Sequence, residues 1–551
     1  MRPTFPERFN LADYYLFDRL NEGLADKDAI RFGDRRFSYG RVADQTRRFA
    51  GLLMAADVRR GERVLIVLPD TPAFAWVFFG TLARGAVVAM GNPDAPFESL
   101  ATLVRYTRAT AIVTVPKVAE PLAQAFAAEP AAYEEVRTVL VVADVPTGGD
   151  CEGAVSVPDA PRFGALAPAL ANAEPLAPAR TPVVHRDEPA IWLFTSGSTG
   201  EPKANVHAHR DFAYNTEVYA KRTVGYRQSD VTVSVPRLFF GYATGTNLMF
   251  PFAVGATAGL FSERPTPESL VAAMRMYKPT VVTNVPTMLG KLLEFDAAAR
   301  ARGEAGLDLA SVRFSLSAGE ALPGPLLSRW LERFGSEVYD GIGSAEMFHI
   351  YASNRPGEVV PGSLGRPVEG YELRVLPEDA VGPGATPCAP GEIGVLWVRG
   401  DSASMGYWLD RDKSFRTFFG EWCRTGDLFS IDDRGYLYFA GRADDLIKVS
   451  GLWVAPLEVE ECLLGHEAVA QVAVVGVEDE GLVKTKAFVI VRETHASHDR
   501  AALADALKEH VKGRLSKHKY PRIVEFVADL PKNDRGKVDK KALRARPAGG
   551  S

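Results

Sequence analysis

Short apolar runs, each followed by a helical pattern, recur along most of the chain. The run at 63–68 precedes a helical stretch at 74–84, and the run at 280–284 precedes another at 287–295. A helix that returns the chain across a sheet lets consecutive strands lie parallel, so this alternation predicts an α/β fold with mostly parallel sheets. At roughly 150 residues per domain, the 551 residues allow three or four folding units.

The C-terminal part of the chain has a different pattern, which predicts a small α+β unit. Three strand-like runs occur at 472–477, 486–491 and 523–527. Between the second and the third, apolar residues recur at every fourth position of 500–515 and give a helix one apolar face.

The end of this unit is basic, with twelve Lys or Arg residues against four Asp or Glu residues from 512 to 546. Such a run is usually a solvated face. The alternative is that the unit presents a positive surface to a ligand that carries phosphate groups.

Composition excludes several classes of function. Lys and Arg total 64 and Asp and Glu total 69, and the formal net charge of −5 argues against a dedicated nucleic-acid binder. The cysteines form no CxxC pair, so we expect neither a disulfide framework nor a cysteine zinc site, and a reducing compartment fits best. They are Cys151, Cys388, Cys423 and Cys462.

Neither of the two stretches that merit attention predicts a membrane or export signal. Residues 1–20 mix charges and prolines and lack the apolar core of a signal peptide. The uncharged stretch 238–262 is interrupted by Gly, Pro and polar residues, which favours a buried helix and strand over a membrane span. We expect a cytoplasmic protein with no membrane and no nucleic acid as partner.

The sharpest local motif is a loop of small and hydroxylated residues directly after the strand-like run at 190–194. It consists of Thr195, Ser196, Gly197, Ser198, Thr199 and Gly200, and Lys203 follows it. Glycines let successive backbone N–H groups converge on an anion, and the hydroxyls and the lysine add donors. The motif therefore predicts a phosphate-binding loop rather than a generic turn. It is not a Walker loop, because no GxxxxGK[ST] pattern occurs.

Further motifs follow this loop in a fixed order. They are Ser317-Ala318-Gly319-Glu320, the run from Tyr339-Asp340-Gly341 to Ser344-Ala345-Glu346, Gly391-Glu392, Thr425-Gly426-Asp427, 441–451 and 532–537. Together with the loop they resemble the adenylate-forming (AMP-binding) superfamily, which includes acyl- and aryl-CoA ligases, luciferases and carrier-protein-loading adenylation domains. The resemblance covers essentially the whole chain.

The resemblance implies ATP as a substrate and assigns residues to it. Beyond the loop from Thr195 to Gly200, the implied nucleotide-binding residues are Ala318, Gly319, Glu320, Asp340, Gly341, Ser344, Asp427 and Arg442. Lys203, Glu346 and Lys537 are the implied catalytic residues. Their chemistry agrees, because Asp427 can accept from two ribose hydroxyls, and the Glu346 carboxylate is a hard ligand suited to Mg²⁺.

The resemblance also implies two domains that move relative to one another. An N-terminal domain of several subdomains is expected at 1–441, and a mobile domain that carries Lys537 is expected at 442–551. Asp444 is the implied hinge. Ser450 and Gly451 are the implied lining of a tunnel for the thiol of coenzyme A.

Two segments, 237–243 and 341–350, with 263–267 after the first, resemble those of benzoate-CoA ligases and close aryl-CoA relatives. The implied binding site for the aryl acid is a flat slot of aromatic and small residues. Its residues are Phe239, Gly241, Tyr242, Gly319, Gly341, Ile342 and His349. His349 either bonds a ring substituent or is a core histidine.

We therefore expect an AMP-forming acid-thiol ligase, in which an aromatic acid and ATP form an adenylate and coenzyme A then displaces AMP. One alternative is a free-standing enzyme that loads a carrier protein. Another is a non-catalytic binding protein, supported only by Ala345, where many relatives have threonine, and opposed by the retained charged residues. A homodimer is the assembly we consider.

Overall fold

The computed structural model describes residues 2–177, 182–196, 202–442, 446–449, 452–479, 482–492, 495, 499–531 and 538–546. The strands are β1 (Asp28–Phe32), β2 (Arg35–Ser38), β3 (Arg63–Val67), β4 (Val87–Met90), β5 (Ala111–Thr114), β6 (Thr138–Val141), β7 (Phe163–Ala165), β8 (Pro189–Ser196), β9 (Pro202–Ala208), β10 (Val231–Ser234), β11 (Thr257–Leu260), β12 (Val281–Asn284), β13 (Phe314–Ser317), β14 (Val338–Gly343), β15 (Ile350–Ser353), β16 (Arg366–Pro367), β17 (Glu372–Leu376), β18 (Gly394–Arg399), β19 (Phe418–Phe419), β20 (Trp422–Ile431), β21 (Leu437–Arg442), β22 (Ile447–Val449), β23 (Leu452–Val454), β24 (Val469–Asp479), β25 (Leu482–Val491) and β26 (Ile523–Phe526).

The helices alternate with these strands through most of the chain. They are α1 (Asp18–Asn21), α2 (Tyr39–Ala55), α3 (Pro72–Ala83), α4 (Phe97–Thr107), α5 (Pro116–Ala128), α6 (Leu166–Asn172), α7 (His209–Asn215), α8 (Gly241–Thr244), α9 (Phe250–Ala253), α10 (Pro267–Tyr277), α11 (Pro286–Ala301), α12 (Gly324–Phe334), α13 (Arg411–Thr417), α14 (Pro456–Leu464), α15 (Arg500–Lys512) and α16 (Lys540–Arg544). Short π-helical turns precede α1, follow α7 and join α8 to α9.

Two large sheets form the N-terminal body, and most of their strands run parallel. The first has seven strands in the order β7-β6-β5-β3-β4-β8-β9, and only its last pair is antiparallel. The second has nine strands in the order β16-β15-β14-β13-β12-β10-β11-β1-β2. Every residue of α3 is buried, which explains why this helix is apolar on all sides. The predicted α/β fold with mostly parallel sheets is confirmed.

A third, antiparallel sheet follows, in which β17, β18, β20 and β19 are neighbours and β21 pairs with β20. Its register sets Asp427 of β20 opposite Arg442 of β21.

The C-terminal unit is smaller and is built differently. Its three-stranded sheet has the order β24-β25-β26, with one antiparallel and one parallel pair, beside the β22-β23 hairpin. Leu503, Leu507 and Val511 of α15 are buried in the core of this unit, so the predicted apolar helical face is confirmed.

The uncharged stretch 238–262 lies in the interior. It forms α8, a π-helical turn at Gly245–Met249, α9 and β11, and most of its side chains are buried. Within the part of the chain that the structure describes, no helix has both the length and the apolarity needed to cross a membrane.

Candidate active site

The predicted phosphate loop connects two antiparallel strands. Thr195 and Ser196 end β8, and Thr195 is the register partner of Lys203 in β9. The two strand ends that flank the motif are therefore neighbours at one edge of the sheet, and Lys203 lies on the second of them. Gly197, Ser198, Thr199 and Gly200 lie outside the described residues.

Residues 404–408 cover the outer edge of β9. The Met405 N–H donates to Val206 O at 2.7 Å, Val206 N–H to Gly406 O at 3.0 Å, and Trp408 N–H to Ala204 O at 2.9 Å. These bonds bring the start of α13, more than 200 residues away in sequence, next to the end of the loop.

A compact charged cluster forms at this junction. Lys203 Nζ lies 3.6 Å from Asp410 Oδ2, and Asp410 Oδ1 caps α13 by accepting from the Lys413 N–H at 3.1 Å. Lys413 Nζ lies 4.9 Å from the centroid of the Tyr407 ring, and Tyr407 donates its hydroxyl to Glu346 Oε1 at 2.7 Å. Burial lowers the pKa of Lys413, and the neighbouring Lys203 ammonium lowers it further.

Asp410, Lys413 and Tyr407 were not predicted from the sequence. They lie between two recognised motifs, in a stretch whose only local signal is the helix cap that Asp410 provides.

The turn that carries Glu346 is held by buried polar groups. It is a 3-10 segment, Ala345–Met347, between β14 and β15. Ala345 O lies 2.6 Å from His207 Nε2, and His207 Nδ1 lies 3.1 Å from Asp211 Oδ2. The Ser404 N–H donates to Glu346 O at 2.8 Å. Because the Ala345 carbonyl can only accept a hydrogen bond, His207 Nε2 must carry the proton. The hydrogen bond between these two atoms fixes the orientation of the His207 ring and the position of the turn.

The predicted nucleotide residue Asp340 lies where the parallel pairing of β12, β13 and β14 ends. Asn284 of β12, Ser317 of β13 and Asp340 of β14 are register partners in one row, and all three are buried. Burial raises the pKa of Asp340 to about 8. Gly319 has a φ of +92°, and a Cβ there would meet no atom within 4 Å. Ligands of open α/β sheets bind at such strand ends. Of the three residues in this row, Asn284 was not indicated by the sequence motifs.

The predicted ribose residues are also brought together. Arg442 Nε lies 3.7 Å from Asp427 Oδ1 across the β20-β21 pair. The arginine side chain is 57% exposed and the aspartate side chain 19% exposed, so both can reach a ligand from solvent.

The predicted aryl-acid residue His349 follows the turn that carries Glu346, Ala345–Met347, and contacts the predicted aryl-acid residue Tyr242. His349 is buried, and its Nε2 lies 3.1 Å from Tyr242 O. The His349 ring lies 5.2 Å from that of Tyr242 and 4.8 Å from that of Phe250. Burial lowers the pKa of His349 to about 3, so the ring is neutral.

Small residues keep this region narrow. A Cβ at Gly245 would lie 2.7 Å from His349 Cδ2 and Nε2, and one at Gly241 would lie 3.1 Å from Leu193 Cδ1. Phe239 and Ile342 are half-buried at its border. Gly341 lies opposite Ser353 in β15.

Four predicted functional residues outside the phosphate loop are not among those that the structure describes. They are the catalytic Lys537, the hinge Asp444 and the tunnel residues Ser450 and Gly451. Their roles stay predictions, as do the domain limits 1–441 and 442–551.

Several known ligases of aryl acids are similar in sequence to this chain over nearly its full length. A benzoate–CoA ligase of Thauera aromatica is 38% identical and aligns over 98% of this chain and 96% of its own. A 4-hydroxybenzoate–CoA/benzoate–CoA ligase of Rhodopseudomonas palustris is 36% identical, with 98% and 95% covered. A p-hydroxybenzoic acid–AMP ligase of Mycobacterium marinum is 30% identical, but only 68% of its length is covered.

Solved structures agree. An anthranilate CoA ligase, AuaEII, in complex with anthranoyl-AMP has a TM-score of 0.86 at 32% identity, with 98% of both chains covered. A benzoate CoA ligase from Burkholderia xenovorans has a TM-score of 0.84 at 37% identity, with 97% of this chain and 100% of that chain covered.

The family match spans both parts of the chain. Residues 17–408 match the AMP-binding enzyme family, and residues 458–537 match the AMP-binding enzyme C-terminal domain. The chain therefore belongs to the AMP-binding enzyme family.

Proposed function

We propose that the protein is an aryl-CoA ligase that joins benzoate or a substituted benzoate to coenzyme A and converts ATP to AMP and pyrophosphate. The observation that carries this proposal is the position of one turn. Glu346 faces the charged cluster at the phosphate loop, and His349, three residues later, lies in the aromatic slot. This arrangement supports a site in which the phosphate side and the acid side of an aryl-adenylate lie at the two ends of residues 346–349.

In the first half-reaction a carboxylate oxygen of the acid attacks the α-phosphate of ATP, and the bond to the pyrophosphate oxygen breaks. The strand-end row with Asp340 holds the adenine side, and Asp427 with Arg442 holds the ribose. Lys203 and the loop hold the phosphates. Lys537 stabilises the charge that develops at the reacting oxygens.

Mg²⁺ fits this site as a companion of ATP. Among the described residues, no group of three or more His, Cys, Asp or Glu side chains is arranged to hold a metal alone. Mg²⁺ commonly binds through one or two carboxylates together with substrate phosphates and water, and Glu346 supplies one such carboxylate. When bound, the ion neutralises phosphate charge.

In the second half-reaction the thiol of coenzyme A attacks the acyl carbon, and AMP leaves with the bonding electrons. The thiol needs the space that Lys537 occupies in the first step, so we infer a rotation of the C-terminal unit about Asp444. Ser450 and Gly451 then line the path of the thiol.

The aromatic slot favours a planar acid. His349 is neutral, and its Nε2–H donates to Tyr242 O, which leaves Nδ1 as an acceptor. Among the described residues, neither His349 Nδ1 nor the buried Tyr242 hydroxyl has a hydrogen-bond partner. We therefore propose that hydroxy- or aminobenzoates, whose substituents donate hydrogen bonds, are accepted alongside benzoate.

Coenzyme A is favoured over a carrier protein as acceptor. The chain covers about two thirds of the mycobacterial AMP ligase but nearly all of the CoA ligases. The retained Lys203, Glu346, Asp427 and Arg442 oppose a non-catalytic role. A cytoplasmic location and a homodimer remain predictions, and light scattering distinguishes the dimer from a 59.8 kDa monomer.

The test is a screen for pyrophosphate release over benzoate, hydroxybenzoates, aminobenzoates, cyclohexanecarboxylate and medium-chain fatty acids. Each active acid is then assayed for AMP release with coenzyme A or with a phosphopantetheinylated carrier protein. We expect aryl acids to be active and coenzyme A to be the better acceptor. Activity with fatty acids alone, or with the carrier protein alone, would contradict the proposal.

A further inference from the structure

The Lys413 side chain makes a contact outside its own helix, α13. It lies in the first turn of α13, half-buried, with its ammonium against the face of Tyr407. Tyr407 in turn contacts Glu346. The side chain is therefore directed toward the active-site turn rather than along the helix surface.

Within the part of the chain that the structure describes, Lys413 lacks the direct ion pair that its neighbour Lys203 has. Lys203, with 19% of its side chain exposed, has Asp410 at 3.6 Å. Lys413 lies beside Lys203, and the Glu346 and Asp410 carboxylates also attract its ammonium group, but among the described residues no carboxylate lies within 4 Å of that group. Two ammonium groups that lie together and partly buried repel each other. A bound polyanion that contacts both would relieve the repulsion.

The loop between β8 and β9 indicates which polyanion fits. Lys203 comes three residues after the phosphate-loop motif in sequence, and residues 404–408 bring Lys413 beside Lys203 through the bonds to β9. The α-phosphate must meet the acid in the slot around His349. The part of ATP that extends to Lys203 and Lys413, here called the lysine pair, therefore consists of its β- and γ-phosphates.

We propose that Lys413 and Lys203 together bind the β- and γ-phosphates of ATP and the pyrophosphate that leaves. The proposal rests on the proposed adenylation. As the bond between the α-phosphorus and the bridging oxygen breaks, its electron pair passes to pyrophosphate. The negative charge near the two ammonium groups increases, so they stabilise the transition state more than bound ATP.

The experiment compares Lys413→Met and Lys413→Arg with Lys278→Met, a control on a lysine whose side chain is 61% exposed. We expect Lys413→Met to lower the adenylation rate by about 10- to 100-fold and to raise KM for pyrophosphate in ATP–pyrophosphate exchange. Conversion of supplied aryl-adenylate and coenzyme A to thioester should change by less than about twofold. Lys413→Arg, which keeps the charge, should retain most of the activity.

Two results would overturn the proposal. One is that Lys413→Met matches Lys278→Met in the exchange assay, and the other is an equal loss in both half-reactions, which indicates a structural role. Binding of inorganic pyrophosphate can be measured by calorimetry without any acid substrate, so this measurement tests the lysine pair independently of the proposed function. If no acid supports pyrophosphate release by the wild type, the proposed function fails, and weaker pyrophosphate binding by Lys413→Met than by Lys278→Met still supports the lysine pair.

Discussion

Burial shifts the pKa values of two residues in opposite directions, one before and one after the turn that carries Glu346. The pKa of the Asp340 carboxyl is raised to about 8, and that of the His349 imidazole is lowered to about 3. In both cases the charged form is disfavoured because it is removed from water. Both groups are therefore neutral near pH 7, which suits contacts with an uncharged adenine and an uncharged aromatic ring.

Asp340 should make the stability of the fold depend on pH. The ordinary pKa of the carboxyl is 3.8, so between about pH 4 and pH 8 the folded state keeps a proton that the unfolded state has released. The free energy of unfolding should fall across this range as pH rises, by on the order of a few kcal/mol.

Urea denaturation of Asp340→Asn at several pH values between pH 5 and pH 8 checks this expectation. The amide does not ionise, so the variant should be less pH-dependent than the wild type. The control is Asp379→Asn, which removes an exposed carboxylate. An unchanged slope in Asp340→Asn would contradict the assignment.

At the scale of elements, the helical segment from α8 through the π-helical turn to α9 borders the proposed aryl slot. Gly245 begins the π-helical turn and faces the ring of His349. The close approach of backbone and ring leaves no room for a side chain. The width of the slot is thus decided by the irregular helix as well as by its aromatic residues.

Gly245→Ala should weaken binding of the acid. The added methyl would lie 2.7 Å from two ring atoms of His349, so the ring must shift at a cost of about 1–3 kcal/mol. We expect KM for the acid to rise about 5- to 100-fold, with KM for ATP little changed.

Gly382→Ala is the matched control, since a Cβ there meets no atom within 4 Å. Steady-state kinetics with each substrate varied in turn distinguish the outcomes. An equal rise in both KM values would indicate a general disturbance rather than a narrower slot.

At the scale of the whole molecule, the basic C-terminal segment is partly neutralised within its own unit. Lys519 Nζ lies 2.6 Å from Glu458 Oε2, and Lys540 Nζ lies 2.7 Å from Glu460 Oε1, both on α14. Part of the basic run thus serves internal ion pairs. The role predicted for the rest of this run toward phosphate groups stays a prediction, and Lys537 lies outside the described residues.

Lys537→Ala should separate the two half-reactions. We expect adenylation to fall by at least about 100-fold, because the developing charge loses its cation. Thioester formation from supplied aryl-adenylate should continue. Stopped-flow measurement of each step checks this, and an equal loss in both would contradict the role of Lys537.

Asp444→Pro should have the reverse effect. Proline restricts the backbone dihedral angle φ at the proposed hinge, so rotation of the C-terminal unit should be hindered and thioester formation slowed. Adenylation should be nearly unaffected. Val381→Pro, at a 94% exposed position between β17 and β18, controls for proline in general; normal thioester formation in Asp444→Pro would argue against domain rotation.

Much of this protein is readable from local sequence. The alternation of apolar runs and helices, the apolar face of α15 and the motifs in family order predict the fold class and the family. They also identify Lys203, Glu346, Asp427 and Arg442, because each lies in a short motif whose chemistry is visible without its neighbours. Such signals are local, and a strand or a helix needs only its own pattern to be recognised.

What only the tertiary structure decided is which distant residues join those motifs. Lys413 and Tyr407 lie beside Lys203 and Glu346 because residues 404–408 pair with β9, and His207 reaches Ala345 across a gap of 138 residues. Asn284 joins Ser317 and Asp340 through strand register. These contacts depend on sheet order and on packing between segments far apart in the chain, and no local pattern encodes either.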